Sequence, residues 1–417
     1  MFVVLTIALA GALSADAWAA PGDHVRVGDL SVAPRIEAGF TYRSNVYRQE
    51  VDPNGGGMLS LAPGVDLTLN SDHHDFKLGG TWELRKWIAV EQDADDALSA
   101  SSLDRVDNFS VDLGAGLFKD RPVGFEIDNH LSLRSTTTDL DYADAPFTVQ
   151  FREEFEGGLR MTPSSALEIK ARGLASYDDY RVPVFNGEGF ESYNARTAYG
   201  PKLSSRYLFL PRTAWTLGAD VVWFDWRDNA PSLGDTGGTT TSAAAVLEKP
   251  DSTQIKFRTG IAGQVTEKVS VDLNAGYGVS SFKDAAAPPV GGLDGLLLGA
   301  QIRYALTEKN TVSLGYRRDF QDSWVANFIR YDYLYAQYAG RVGDFRPSVS
   351  YGVRFEEYQS SAAPRNDIVN RLGVGGDYVL TDWASLGAGL AWTQRASSVT
   401  ERSYDDVEVN LKARFVY

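Results

Sequence analysis

The sequence predicts an all-β protein: a closed, up-and-down antiparallel barrel that spans a membrane with about 18 strands, with 16 strands as the nearest alternative. Apolar residues alternate with polar residues or Gly between Ala33 and Tyr417, and this period of two is typical of strands. Short turns alternate with longer polar connections, which is typical of a barrel whose two ends face different compartments. Aromatic residues gather at strand ends, where a bilayer has its interfaces.

Composition excludes several other classes of protein. The chain has 417 residues and a mean hydropathy of -0.24. This is too polar for a bundle of spanning helices, because each such helix needs about 20 mostly apolar residues in a row. The absence of Cys excludes disulfides, thiolate metal sites and cysteine nucleophiles. The formal net charge of -15 argues against nucleic-acid binding, because nucleic-acid binders present a basic face to phosphates.

The N-terminus has the pattern of an export signal. An apolar run at 2–13 is followed by Ala17-Trp18-Ala19, which places small residues where a signal peptidase cleaves. No Lys or Arg precedes the run, so the true start lies upstream or the signal is atypical. A buried N-terminal helix is the alternative. We expect a signal peptide at 1–19, a short periplasmic segment at 20–33 and one barrel at 34–417.

The number of strands follows from the connections. Nine longer connections and eight short turns would join 18 strands, and an even number returns the C-terminus to the side of the N-terminus. The longest connection, 227–250, contains a flexible Gly- and Thr-rich run and an apolar segment. We expect it to fold inward and narrow the lumen, with a solvated flap as the alternative. A β-propeller would instead repeat about every 40 to 45 residues, and no such repeat occurs.

Two features of the strands carry further expectations. The aromatic residues that we expect in the interface girdles are Phe40, Tyr42, Trp82, Trp87, Trp223, Trp226, Tyr331, Tyr333, Tyr335 and Trp392. Asn129 and Glu153 point toward lipid in the predicted register, where a charge is unfavourable. We therefore expect a bulge or a one-residue shift of register in those two strands.

The opposite face of the strands would line a water-filled lumen, because barrels of this size leave a channel unless something plugs them. Asp332 is one expected lumen acid. The other candidate pore-lining residues are Arg35, Glu37, Lys77, Arg85, Asp112, Glu126, Asp128, Arg152, Arg172, Asp220, Arg258, Asp272, Arg303, Arg317 and Arg354. They would form a polar sleeve that exchanges hydrogen bonds with a hydroxyl-rich polymer. The alternative is that cross-strand ion pairs only stiffen the wall.

The sequence does not indicate an enzyme, a metal site or a cofactor. Of its four His, His73 and His74 lie in a short turn, where solvent exposure is the simplest interpretation. His130 has Ser132 on the same strand face and Ser110 on the preceding strand, and we expect a structural role for it. No phosphate-binding loop, zinc spacing or nucleophile elbow occurs.

The C-terminal strand looks like the recognition strand read by the outer-membrane barrel assembly machinery. The residues that carry this interpretation are Val409, Leu411, Phe415 and Tyr417. The alternative is an ordinary edge strand that ends in an aromatic residue.

At a finer level, four stretches resemble the second beta-barrel porin family of Gram-negative bacteria: 32–48, 61–65, 305–317 and 378–386. The resemblance implies an integral outer-membrane barrel and a conduit for an exported surface polysaccharide. Two alternative functions are not excluded: a diffusion porin for small sugars or ions, and a surface structural or adhesive barrel. The implied partners are outer-membrane lipids and lipopolysaccharide, the assembly machinery and a polysaccharide export protein, and no nucleic acid. Acidic residues in the loops near 91–104, 139–144 and 178–191 could bind divalent cations and lipopolysaccharide.

Overall fold

The computed structural model describes residues 25–46, 48, 50, 53–88, 107–137, 147–183, 190–227, 250–283, 293–323, 328–359, 365–399 and 402–417. The predicted signal peptide at 1–19 and the acidic loop residues near 91–104 and 139–144 lie outside this set. Asp178 and Asp179, which the sequence places in a loop, are instead buried residues of a strand that continues to Pro183. Among the described residues, no helix is long and apolar enough to cross a membrane.

The described chain forms 19 strands, because the period-two alternation continues through nearly its whole length. The strands are β1 (Val25–Val27), β2 (Leu30–Arg43), β3 (Gly56–Asn70), β4 (His74–Ile88), β5 (Asn108–Leu117), β6 (Val123–Thr137), β7 (Phe147–Ser164), β8 (Leu167–Pro183), β9 (Phe190–Leu210), β10 (Thr213–Arg227), β11 (Ser252–Gln264), β12 (Val269–Phe282), β13 (Leu293–Thr307), β14 (Asn310–Asp322), β15 (Phe328–Ala339), β16 (Phe345–Gln359), β17 (Arg365–Thr381), β18 (Ala384–Ser397) and β19 (Tyr404–Val416).

Strands β2 to β19 close into one barrel. Each pairs antiparallel with its neighbour in the chain, and β19 closes the ring on β2 through pairs such as Leu411 with Phe40. Closure gives each of these 18 strands a partner on both sides, which is the arrangement that satisfies backbone hydrogen bonds inside a bilayer. The predicted fold class and its 18 strands are therefore confirmed.

The short strand β1 pairs with the part of β2 that β19 does not reach. The β19 ladder ends at Val416 opposite Arg35, and β1 continues along the same side of β2 with Val25 opposite Val32. Gly28, in the turn between β1 and β2, has a φ of 61°, a left-handed conformation that favours glycine. Of the expected N-terminal segment at 20–33, residues 25–27 pair with the barrel wall, and residues 30–33 belong to β2 itself, which begins before the expected barrel start at 34.

The two ends of the barrel differ in the length of their connections. Eight connections of two to five residues lie at one end, which we call the short-turn end. Nine connections of five to 24 residues lie at the other, which we call the long-connection end. Local side chains shape the short turns: in the turn before β14, the Asn310 side chain donates to Thr307 Oγ1 at 2.6 Å. The expected alternation is confirmed.

The outer face of the barrel is apolar. Large side chains such as Leu203 (54% exposed), Leu296 (56%) and Phe257 (50%) project from the wall into the surroundings. Water would make such a surface costly at about 25 cal/mol per Å², whereas lipid tails cover it at no such cost. The outer face is therefore suited to a bilayer, and the opposite face of every strand is left for polar residues.

The predicted bulge or shift of register at Asn129 and Glu153 is wrong. Asn129 and Glu153 both lie on the outer face, and no shift of register occurs next to either residue; the one shift in these ladders lies between Met161 and Ser164, near the short turn. The Asn129 side chain donates to the main-chain carbonyl of Glu154 at 3.4 Å, which satisfies part of its hydrogen-bonding capacity. Glu153 lies in the half of β7 nearer the long-connection end, where a charge costs little.

The expected phase of β15 is also wrong by one residue. Tyr331, Tyr333 and Tyr335 face the inside of the barrel rather than an interface girdle, and Asp332 faces outward, 3.7 Å from Arg318. Inside the barrel also lie Trp87 and Trp226, which are buried. The other expected girdle residues, Phe40, Tyr42, Trp82, Trp223 and Trp392, lie on the outer face.

Candidate functional site

The inner face of the barrel is the candidate site. All the predicted pore-lining residues except Asp332 lie on this face: Arg35, Glu37, Lys77, Arg85, Asp112, Glu126, Asp128, Arg152, Arg172, Asp220, Arg258, Asp272, Arg303, Arg317 and Arg354. Most of their ladder partners are polar residues or glycines, because alternation puts one kind of residue on each face; the exceptions include Val416 opposite Arg35 and Val369 opposite Arg354. Cavities of about 760 and 510 Å³ between these side chains mark the lumen.

One part of the inner wall carries a chain of ion pairs that spans β6 to β9. Glu126 pairs with Lys170 at 3.1 Å and with Arg172. Arg172 also pairs with Glu156 at 3.0 Å, and Glu156 pairs with Lys202 at 2.7 Å. The acids lie on β6 and β7 and the bases on β8 and β9, and opposite charges within reach on one face of a sheet attract each other. These residues stiffen the wall whether or not a solute passes.

Asp112, His130 and Ser132 have the spacing of a hydrolase triad. His130 Nδ1 lies 2.6 Å from Asp112 Oδ1, and its Nε2 lies 3.2 Å from Ser132 Oγ. Nucleophilic attack needs an exposed serine hydroxyl, and Ser132 is only 3% exposed. We therefore interpret these three residues as a hydrogen-bonded contact between two neighbouring strands. Among the described residues, no group of three or more His, Asp or Glu is placed to hold a metal ion.

The long-connection end of β14 and β15 bends into the lumen. The β13–β14 ladder stops at Leu298 opposite Arg318, whereas β14 and β15 stay paired as far as Asp322 and Phe328. Residues 319–322 of β14, and residue 323 after them, lie beyond the ladder with β13, whereas residues 328–329 of β15 stay paired with β14 and β16. These two segments, 319–323 and 328–329, together are called the inner hairpin end below. Its side chains reach strands that are not neighbours of β14, which is possible only across the concave face of the wall.

Two acids attach the inner hairpin end to distant strands. Asp319, which is 4% exposed, accepts hydrogen bonds from Lys256 and Arg258 of β11, each at 3.0 Å, and from Arg317 at 2.7 Å. Asp322 pairs with Arg196 of β9 at 3.2 Å. Charged hydrogen bonds to a buried acid are among the stronger polar contacts in proteins. The inner hairpin end is thus held against β9 and β11.

An apolar cluster packs between the same hairpin end and the wall strands β12 and β13. It contains Leu293, Leu297 (1% exposed), Phe320 (2%) and Phe328, with Phe282 packed beside it. The ring of Phe320 lies against Gly278, where a Cβ atom would come within 2.5 Å of it. A glycine at this position lets the ring approach the wall, and the cluster buries apolar surface inside an otherwise polar lumen.

Buried charges on β16 to β18 form a second fixed region near the long-connection end. Asp367 pairs with Arg365 at 2.7 Å and with Arg395 at 3.5 Å. Glu356 pairs with Arg354 at 3.0 Å and with Arg395 at 3.4 Å. Ile329 of the inner hairpin end packs on the neighbouring Tyr358. The hairpin end therefore lies between this region and β9 to β11.

Sequence reasoning did not find the inner hairpin end. It assigned the narrowing of the lumen to 227–250, of which all but Arg227 and Pro250 lies outside the described residues. The available signal was the run Arg317-Arg318-Asp319-Phe320-Gln321-Asp322, which breaks the apolar alternation at the end of β14.

Comparison with known proteins agrees with this architecture. Residues 235–417 match the family described as "Putative beta-barrel porin 2". No curated protein matches the chain. The FrpB iron transporter of Neisseria meningitidis is similar in structure: its F3-3 variant has a TM-score of 0.51 at 10% identity over 87% of this chain, and its F5-1 variant has 0.50 at 9% over 93%. The chain spans 62% of the length of the first of these and 82% of the second.

A receptor barrel has a comparable degree of similarity. The R480A mutant of the ferric enterobactin receptor of Pseudomonas aeruginosa, solved with enterobactin, has a TM-score of 0.50 at 9% identity, over 93% of this chain and 81% of that chain. Likeness at such low identity concerns the fold alone. The closed 18-strand wall, its apolar outer face and the family match over 235–417 together make the protein a porin-like outer-membrane β-barrel.

Proposed function

We propose that the protein is a water-filled channel for hydrophilic molecules across the outer membrane. The observation that carries the proposal is the division of the wall into an apolar outer face and an inner face of charged residues around cavities of about 760 and 510 Å³. Charged side chains on the inside of a barrel need an ion-pair partner, water or a polar solute as a neighbour, and exposed ones such as Asp112 (66%) and Asp128 (64%) are placed to contact water. The fold supports passive transport.

Swelling of lipid vesicles tests the channel. Vesicles that contain the folded protein are expected to swell in isosmotic solutions of small sugars, at rates that fall as the size of the sugar increases. Vesicles with heat-unfolded protein are the control. Equal, slow swelling of both kinds of vesicle in every sugar would contradict the proposal.

For the cargo we propose a saccharide, with export of a surface polysaccharide as the first candidate. The resemblance of 32–48, 61–65, 305–317 and 378–386 to the second beta-barrel porin family supports it, and so does the length of polar wall available for many weak contacts. Conduction favours weak contacts at several sites, because a deep binding well would stall the moving chain. In this role the channel would work with a polysaccharide export protein, and β19 would be read by the barrel assembly machinery.

A clean deletion strain tests the export of polymer. We expect the deletion to abolish surface polysaccharide while the synthesis enzymes are still present, and the wild-type gene to restore it. Normal surface polysaccharide in the deletion strain would contradict export and would favour the second candidate. That candidate is diffusion of small sugars or ions, and it is supported by the inner hairpin end, which narrows the lumen.

A further inference from the structure

The inner face of β15 carries two tyrosine rings that lie against glycines of the adjacent strands. A Cβ atom at Gly315 of β14 would lie 2.3 Å from the Tyr335 ring, and one at Gly352 of β16 would lie 2.6 Å from the Tyr333 hydroxyl oxygen. The two glycines therefore let the rings rest on the wall. The rings are nearly parallel, with centroids 5.4 Å apart and an angle of 24° between their planes, and both side chains are half-buried.

Arginines border these rings on both sides. Arg317 of β14 and Arg354 of β16 are the direct ladder partners of Tyr333, and Arg371 of β17 is paired with Gly352. The Arg317 side chain is 59% exposed, although it also contacts Asp319. The guanidinium carbon of Arg354 lies 4.0 Å from the centroid of the Tyr331 ring, a cation–π contact.

Arg303 adds a further basic group nearer the short-turn end. It lies on the inner face of β13 opposite Ser313, which in turn pairs with Gln337 of β15. Arg303 is exposed and has no ion-pair partner among the described residues. Tyr333, Tyr335, Arg303, Arg317 and Arg354 are called the tyrosine–arginine track below.

We propose that the tyrosine–arginine track binds acidic saccharides, that is, sugar chains that carry carboxylates, as they pass through the lumen. The C–H face of a sugar ring is apolar and can stack on an aromatic face, while its hydroxyls stay in water. Guanidinium groups recognise carboxylates through paired hydrogen bonds. A neutral sugar would leave the arginines without a ligand, and a small inorganic anion would leave the rings without one.

The spacing of the track suits a chain of sugars. Successive inward positions of a strand are about 6.6 Å apart, which is on the order of the length of one sugar unit. Two rings and three arginines offer several weak contacts in sequence, which permits passage rather than trapping. The inference rests on the proposed channel function and specifies the substrate class of the same lumen.

Current block in planar bilayers tests the track. We expect hexagalacturonate to interrupt the open-channel current of the wild-type protein more often and for longer than maltohexaose at equal concentration. The double variant Tyr333→Ala/Tyr335→Ala should shorten the blocks by about tenfold. Tyr335→Phe, which keeps the ring, should behave as wild type. Gly315→Ala should shorten the blocks, because the added Cβ displaces the Tyr335 ring.

The outcomes separate the track from the channel. An open channel that hexagalacturonate does not block, or that both sugars block equally, would overturn the acidic-saccharide track and leave the channel intact. An absence of any current would overturn the channel and the track with it. Gln337→Ala, on the same inner face of β15, is the matched control and should leave the blocks unchanged.

Two cellular measurements distinguish the source of the saccharide. If the track serves export, cells with Tyr333→Ala/Tyr335→Ala should carry less acidic polymer on their surface and take up oligouronates normally. If it serves uptake, oligouronate uptake should fall and the surface polymer should be unchanged. Wild-type levels of both would overturn the track.

Discussion

Asp319→Asn is expected to raise the single-channel conductance, because it releases the inner hairpin end from the wall. The Asp319 carboxylate is nearly buried and is held by Lys256, Arg258 and Arg317. Removing one partner of a buried ion pair costs about 3 to 5 kcal/mol, and the lower value applies here because Arg258 and Arg317 are partly exposed. A loss of about 3 kcal/mol shifts the equilibrium toward release by about a hundredfold.

Conductance in planar bilayers checks this expectation, and Asp272→Asn is the matched control. Asp272 also lies on the inner face, but it has no ion pair among the described residues and accepts one hydrogen bond from Asn274. Its substitution removes the same charge without releasing the hairpin end. The double variant Asp319→Asn/Asp322→Asn should conduct more than Asp319→Asn. Wild-type conductance in both variants, with the barrel still folded, would contradict a constriction by the inner hairpin end.

Leu273→Arg is expected to destabilise the barrel in lipid by about 2 to 4 kcal/mol, the cost of a basic residue near the middle of the lipid-facing wall. Leu273 lies on the outer face of β12, between Ile261 and Ala300 of the adjacent strands. Its exposed apolar side chain would be replaced by a charge that has neither water nor an ion-pair partner there. Urea unfolding in lipid vesicles measures the change in the free energy of unfolding.

Asn274→Arg is the control for the same strand. Asn274 is the next residue, but it lies on the inner face between Gly260 and Gly299, where water can solvate a charge. We expect a change in the free energy of unfolding of less than about 1 kcal/mol, as is usual at solvated positions. Equal destabilisation by both variants would contradict an outer face that contacts lipid and an inner face that contacts water.

The sequence predicts for most residues whether they lie on the inner or the outer face of the barrel, because the alternation depends only on neighbours in the chain. Val409 and Leu411 alternate with charged or amide residues, and the structure places them on the outer face as expected. The prediction failed on β15, where Tyr331 to Tyr335 alternate with Asp332 and Leu334. Tyrosine is compatible with a girdle and with a lumen, so composition alone could not fix the phase of that strand.

The inner hairpin end could not be predicted in the same way. Its position depends on contacts between residues far apart in the chain, such as Asp322 with Arg196, and on the glycine at 278 that admits the Phe320 ring. The polar run at the end of β14 breaks the alternation, but it does not show which distant residues it contacts. The tyrosine–arginine track was missed for a related reason, since it becomes visible only when β14, β15 and β16 are aligned in register.

Thiol labelling of single-cysteine variants tests the water-filled lumen most directly, because the chain has no cysteine of its own. On β18, Ala391 and Thr393 lie on the inner face, whereas Ala388 and Leu390 lie on the outer face. With the protein folded in lipid vesicles, a water-soluble thiol reagent that cannot enter the bilayer is expected to label Ala391→Cys and Thr393→Cys. It should leave Ala388→Cys and Leu390→Cys unlabelled. The reverse pattern, or equal labelling of all four, would contradict a water-filled lumen behind a lipid-facing wall.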